Sequence, residues 1–182
     1  FPTRTKASNQ TLGFFSLFRR MSLHDAVRSG VLEALRDRIA RGDDVDGRNG
    51  NGWTPLTLAC FVGRLECAQA LIDAGAAVDM VDNNGNTALM SGCYNGHHEC
   101  AQALVDAGAA VDMVDNDGWT ELMEACRKGR HECARALLNA GAVVDMANND
   151  GRTALMHACI EGHQECAQAL IDAHADLELT NR

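Results

Sequence analysis

The most reactive side chains in this chain are cysteines and histidines, and their spacing resembles that of metal ligands. Cys93, His97, His98 and Cys100 fall within eight residues. Cys126, His131 and Cys133 form a weaker copy, as do Cys159, His163 and Cys166. Thiolate and imidazole are zinc ligands, and a structural zinc needs four of them converging tetrahedrally. Two features oppose that chemistry. Gly96 breaks the chain between Cys93 and Cys100 and puts them on different helices. Cys60 and Cys67 have no His between them. Buried small thiols are the better reading, so neither a metal site nor a cofactor is assigned. Catalysis is not expected either: no Ser/His/Asp constellation, phosphate-cradling loop or paired-carboxylate cleft stands out.

All eight Cys fall into two columns: Cys60, Cys93, Cys126 and Cys159, then Cys67, Cys100, Cys133 and Cys166. Disulfide scaffolds rarely distribute cysteines this way. Members of one column would be separated by the ~8–10 Å of packed helices. A disulfide tolerates only ~7 Å between Cα atoms. The columns therefore read as buried thiols in a reducing compartment.

The columns point to the elements that carry them. Gly52, Gly85, Gly118 and Gly151 are spaced by 33 residues, as are Thr54, Thr87, Thr120 and Thr153. Leu56, Leu89, Leu122 and Leu155 keep the same register. Such a period predicts a stacked solenoid rather than one globular core. Each unit reads alike: a Gly turn, a Thr N-cap, a short helix ended by Gly63, Gly96, Gly129 or Gly162, and a second helix starting near Glu66. Gly75, Gly108 and Gly141 close that second helix, and an extended stretch follows. Full repeats occupy residues 51–83, 84–116, 117–149 and 150–182.

Residues 21–50 are a degenerate copy. Leu23, Ala26, Gly30, Glu33 and Gly42 keep the register, while Asp37 and Arg38 replace the later Ala and Leu. Val27 and Ala34 stand at the cysteine columns. Charges on a face without a neighbour predict an N-terminal capping repeat. The last repeat carries no such charges. Its apolar face is expected to be covered by a partner or by further chain.

Residues 1–20 differ in kind. They hold Arg4, Lys6, Arg19 and Arg20 with no acid, and Phe14, Phe15 and Phe18 are three of the five Phe. The composition predicts a targeting segment. Phe1-Pro2-Thr3 resembles the transit-peptide start of algae with complex plastids of the red lineage. A mitochondrial presequence has the same composition, and Met21 as the true start would make the segment extraneous. If retained, Phe14, Phe15 and Phe18 form a docking or membrane-proximal patch.

The net charge is −9. Residues 1–20 contribute +4, so the remainder holds 12 cations against 25 acids, or −13. A body so acidic is a poor ligand for a phosphate backbone, which argues against nucleic acid. No run reaches the ~18 apolar residues of a membrane span. Contact with a membrane complex at its periphery stays open.

Recognition is expected where the period breaks. Trp53, Asn86, Trp119 and Arg152 follow the turn Gly. Phe61-Val62, Tyr94-Asn95, Arg127-Lys128 and Ile160-Glu161 end the first helices. Leu58, Ser91, Glu124 and His157 vary in the first-helix core. Both Trp and the single Tyr fall in this set, and such residues anchor interfaces. The bland alternative is a Trp packed on its neighbour's hairpin. Arg127 and Lys128 belong to the one basic spot in the body, with Glu124 one turn from Lys128 as an intrahelical partner.

Thr54-Pro55-Leu56-Thr57-Leu58-Ala59 and Gly75-Ala76-Ala77-Val78-Asp79 resemble the signatures of the ankyrin repeat, a unit of about 33 residues. The resemblance covers 21–182 and departs where the usual His is Thr57, Met90, Met123 or Met156. It implies an all-α solenoid of stacked helix–turn–helix units with β-turn or hairpin tips, preceded by an irregular N-terminal segment. It also implies a non-enzymatic module that binds protein partners through its turn tips and inner helix face. By analogy with ankyrin proteins that escort light-harvesting proteins, a plastid scaffold bridging a larger complex is expected. The alternatives are a cytosolic adaptor regulating a signalling partner and a Cys/His metal-binding protein.

Overall fold

A computed structural model describes residues 21–180. The described chain folds as five helix pairs. They are α1 (Leu23–Ser29) and α2 (Leu32–Ala40), α3 (Pro55–Phe61) and α4 (Leu65–Asp73), α5 (Ala88–Asn95) and α6 (His98–Asp106), α7 (Glu121–Arg127) and α8 (His131–Asn139), and α9 (Ala154–Glu161) and α10 (Gln164–Asp172). The first helices of successive pairs pack on one another as α1, α3, α5, α7 and α9. The second helices form a parallel row of α2, α4, α6, α8 and α10. Among the described residues there are no strands beyond one isolated bridge, Ala147 to Thr153, so the tips are turns.

Local chemistry explains each pair. Thr54, Thr87, Thr120 and Thr153 sit in extended backbone, and each hydroxyl accepts the N–H three residues on. Thr57 Oγ1 also lies 3.0 Å from Thr54 Oγ1, so one hydroxyl stands where the family places a His. The second helices have no side-chain cap at their start. Instead, their N-cap side chains Arg64, His97, Arg130 and His163 lie against the positive-φ glycines Gly30, Gly63, Gly96 and Gly129 of the preceding layer. His163 Nε2 donates to the Arg127 carbonyl at 3.1 Å, and Arg130 Nε to the Tyr94 carbonyl at 3.4 Å. Each satisfies a carbonyl at the end of the previous first helix. Of the histidines that suggested metal ligands, His97 and His163 thus pack on the end of the preceding layer's first helix, while His98 and His131 open second helices beside Glu99 and Glu132. Among the described residues no group of three or more His, Cys, Asp or Glu is placed to hold a metal.

The core runs along the stack in columns. Leu56, Leu89 and Leu122 are buried, as are Leu71, Leu104, Leu137 and Leu170. Each such side chain contributes about 1.5–3 kcal/mol of burial. The thiols pair diagonally between layers: Cys60 with Cys100, Cys93 with Cys133, and Cys126 with Cys166. The hydrogen bond to its partner, then burial, pushes each first-helix thiol well up. All eight Cys are free thiols, and seven are buried. Cys159 departs from the expectation and is exposed, because among the described residues no layer packs on the far side of α9. Leu155 and Met156 are likewise only half-buried, where Leu122 and Met123 are fully buried.

A second ladder ties the loops. Asp46, Asp79, Asp112 and Asp145 each accept the backbone N–H of the residue 31 positions on, at 2.8–3.0 Å. This fixes the offset between layers. At the N-terminal end, Asp37 pairs with Arg41 at 2.7 Å and Arg38 pairs with Asp43, so the face of α2 is ionic.

Candidate functional site

The turn tips are built around one side chain each. Asn49, Asp82, Asp115 and Asn148 use Oδ1 to accept two N–H groups, from the residues two and four positions on. This closes the turn and aims the residue at the fourth position. Those residues are Trp53, Asn86, Trp119 and Arg152. Neighbouring tips are joined by backbone bonds, Asn83 N–H to Asn51 C=O at 3.2 Å and Asn116 N–H to Asn84 C=O at 3.0 Å.

Neither Trp stands free. Trp53 is half-buried, lies 4.7 Å from the Phe61 ring and donates its indole N–H to Asp82 Oδ2 at 3.0 Å. Its carbonyl accepts from His24 Nε2 at 2.8 Å. Trp119 is half-buried and lies 4.4 Å from the His157 ring. His157 itself is buried, and burial, with help from Arg152 and Arg127, holds its pKa down. The indoles therefore join successive layers and are only partly exposed.

The basic spot is organised differently from the sequence expectation. Glu124 pairs with Arg127, not with Lys128, at 2.7–3.2 Å. The i,i+3 geometry suits the forked guanidinium, and Lys128 lies past the last turn of α7, where it is the C-cap. Arg127 also lies 4.9 Å from the Trp119 ring centroid and 5.7 Å from that of Tyr94. The Lys128 ammonium is 4.6 Å from the Tyr94 centroid. Stacking on aromatic faces holds both cations.

These elements enclose a cleft of about 350 Å³ spanning three layers. Trp53, Phe61, Asn86, Tyr94 and Asn95, five of the expected recognition residues, line it. Phe61 and Tyr94 are 37% and 39% exposed, high for aromatic side chains. Arg127 and Lys128 join its edge through Tyr94. Others lie elsewhere. Val62 packs against the core, Arg152 sits at the last tip, and Ile160 is 62% exposed on the final layer. Phe14, Phe15 and Phe18 lie outside the described residues. Sequence reasoning missed the cleft's carboxylates, Asp82, Asp115 and Asp117, because the tips were read through their glycines. The 33-residue spacing of Asp82 and Asp115 was the available signal.

A larger groove of about 720 Å³ runs along α4, α6 and α8. Its Gln69 and Gln102 make the same bond, to Asp73 and Asp106, in successive layers. In the third layer Arg135 and Asn139 replace that pair, and no Phe, Tyr or Trp lines the groove, whereas exposed aromatic rings line the smaller cleft.

One buried group lies between the layers. Glu121 opens α7 and is fully buried. Its Oε1 accepts the Thr87 hydroxyl at 3.4 Å, and its Oε2 has no partner. Burial pushes its pKa up to about 8, and Asp112 and Asp79 add to the rise.

A family model described as ankyrin repeats matches residues 23–115 and 107–181. Among curated proteins, protein phosphatase 1 regulatory subunit 27 of Mus musculus is 42% identical over 50 residues, 28% of this chain and 32% of that protein. Its Homo sapiens counterpart matches with the same identity and coverage. The matched segment thus spans about a third of the length of these relatives.

Proposed function

The chain belongs to the ankyrin-repeat family, and from that premise we propose that it is a non-enzymatic scaffold whose cleft between α3, α5 and α7 engages a protein partner. One observation carries the reading. The framework columns repeat almost unchanged, while the exposed aromatic side chains Phe61 and Tyr94 break the period within a single cleft that is also lined by carboxylates. Residues fixed by packing keep the stack, and residues free of it serve recognition. In the same proposal, residues 21–50 close one end of the stack, supported by the ionic face of α2. The half-buried Leu155 and Met156 with exposed Ile160 offer a second contact surface at the other end.

The finer reading is a plastid protein that bridges subunits of a larger, membrane-associated complex such as a light-harvesting assembly. The basic, acid-free composition of residues 1–20 supports it. No described helix is long and apolar enough to cross a membrane, so contact with such a complex would be peripheral. A second reading, an adaptor that regulates a signalling enzyme, is favoured by the 50-residue match to a phosphatase regulatory subunit.

The test is affinity capture of the full chain from cells, beside the Tyr94→Ala variant. Tyr94 is chosen over the two Trp because truncating an exposed ring leaves the layers packed. Capture of plastid membrane-complex subunits, lost with Tyr94→Ala, is the expected result. A phosphatase lost in the same way would favour the second reading. Partners retained in full by Tyr94→Ala would sink the assignment of this cleft.

A further inference from the structure

The cleft's walls specify the chemistry of what enters, and this inference rests on the interaction reading above. Phe61 and Tyr94 present ring faces, and Asp82, Asp115, Asp117 and Glu124 present carboxylates. No Lys, Arg or His lines it. Most carboxylate oxygens are engaged. Asp82 Oδ1 and Asp115 Oδ1 each close a turn, Asp82 Oδ2 takes the Trp53 indole, and Glu124 takes Arg127. Asp115 Oδ2 and both oxygens of exposed Asp117 find no donor among the described residues. Unmatched carboxylates beside partly exposed rings are half of a cation site.

The same face shows the completed version once. Arg127 lies over Trp119 and Tyr94 and is paired to Glu124. Moving back by the 33-residue period, the position of Arg127 is held by Tyr94 and then by Phe61. These layers have rings and acids but no guanidinium of their own. We propose that the cleft takes an arginine side chain from an extended segment of the partner protein, its plane against Tyr94 and Phe61 and its N–H groups on Asp115 and Asp117. Arginine suits the site better than lysine, because a planar, weakly hydrated fork can stack and donate at once. The −13 charge of the body draws basic segments toward it. Lys128, 4.6 Å from the Tyr94 centroid, is the resident competitor for that ring.

The probe is an acetylated, amidated Gly-Ser-Arg-Ser-Gly peptide, titrated into the isotope-labelled full chain by NMR. A second peptide carries citrulline, the uncharged isostere, in place of Arg. Arg-peptide shifts should centre on the Trp53 indole, Tyr94 and Asp117, with binding about tenfold weaker for citrulline. Asp117→Asn should weaken binding about three- to tenfold, while Asp150→Asn, the same charge change one repeat on, leaves it unchanged. Lys128→Met should strengthen it. Equal binding of the two peptides, shifts scattered over the acidic surface, or equal loss in Asp150→Asn would overturn the proposal. The outcomes separate from the capture experiment. A partner lost with Tyr94→Ala and Arg-peptide binding that fails these controls would reject the arginine site and leave the interaction role intact. The reverse pattern would leave a cleft that binds arginine but reject it as the contact for the captured partner.

Discussion

Glu121 shows what a single side chain can do to a repeat. It stands where other layers place Pro55, Ala88 and Ala154, residues with nothing to ionise. The groups facing it are the Thr87 hydroxyl, the acids Asp112 and Asp79, and the buried thiol of Cys93. No cation among these offsets its charge, so burial dominates and the carboxyl is neutral at pH 7. Its pKa of about 8 in the fold compares with an ordinary 4.5. Below pH 4.5 both folded and unfolded chains hold the proton. Between these values only the folded chain does, so the stability contribution falls as pH rises and is lost above pH 8. Glu121→Gln removes that dependence. Urea unfolding should show the variant more stable than the parent by roughly 2–4 kcal/mol at pH 8 and nearly equal at pH 4.5. A parallel pH dependence in both proteins would refute the assignment. The sequence showed Glu121 breaking a Pro/Ala column but not its burial, which comes from the neighbouring layer. Nor did it mark the choice of Arg127 over Lys128 by Glu124, because both lie within helical reach.

At the scale of the element, the helix pairs were legible almost residue by residue. Thr caps and glycine stops are local signals: α3, α5, α7 and α9 begin at their Thr, and each ends one or two residues before a positive-φ glycine. The exception is instructive: the last second helix is followed by His174 at φ 65, where earlier repeats place Gly75, Gly108 or Gly141. A left-handed stop is still needed, so a non-glycine residue is held in it. What local reading missed is that two classes of glycine exist. A Cβ on Gly129 would fall 2.6 Å from His163 Nδ1, whereas nothing lies within 4 Å of one on Gly108. Both have positive φ, 66° and 84°. Gly108→Ala should therefore lose only about 1 kcal/mol of backbone strain. Gly129→Ala should lose more, roughly 2–3 kcal/mol, because the imidazole capping the Arg127 carbonyl is displaced. Denaturant midpoints compare the two, and equal losses would show that the cap contributes nothing.

The whole molecule is a stack in which each layer touches only its neighbours, so stability is a sum over layers and interfaces. Among the described residues the layer of α9 and α10 packs on one neighbour, and its Leu155, Met156 and Cys159 are less covered than their counterparts in other layers. Amide exchange should be fastest in α9 and α10 and slowest in α5 to α8. Uniform protection along the stack would instead mean that the layers unfold as one unit.

The sequence by itself determined the period, the helix pairs, the family and the set of variable positions. All of these follow from signals that recur within one 33-residue unit. Only the tertiary structure decided which variable residues meet. It placed Trp53 on Asp82, Cys60 on Cys100 and Tyr94 between Arg127 and the cleft. It also set two apparent metal ligands, His97 and His163, against the preceding layer, where His163 caps the Arg127 carbonyl. The reason is physical. These contacts cross between layers, and their partners depend on the offset at which one layer sits on the next. Asp79, Asp112 and Asp145 set that offset by hydrogen bonds 31 residues long in sequence, so no single repeat contains it.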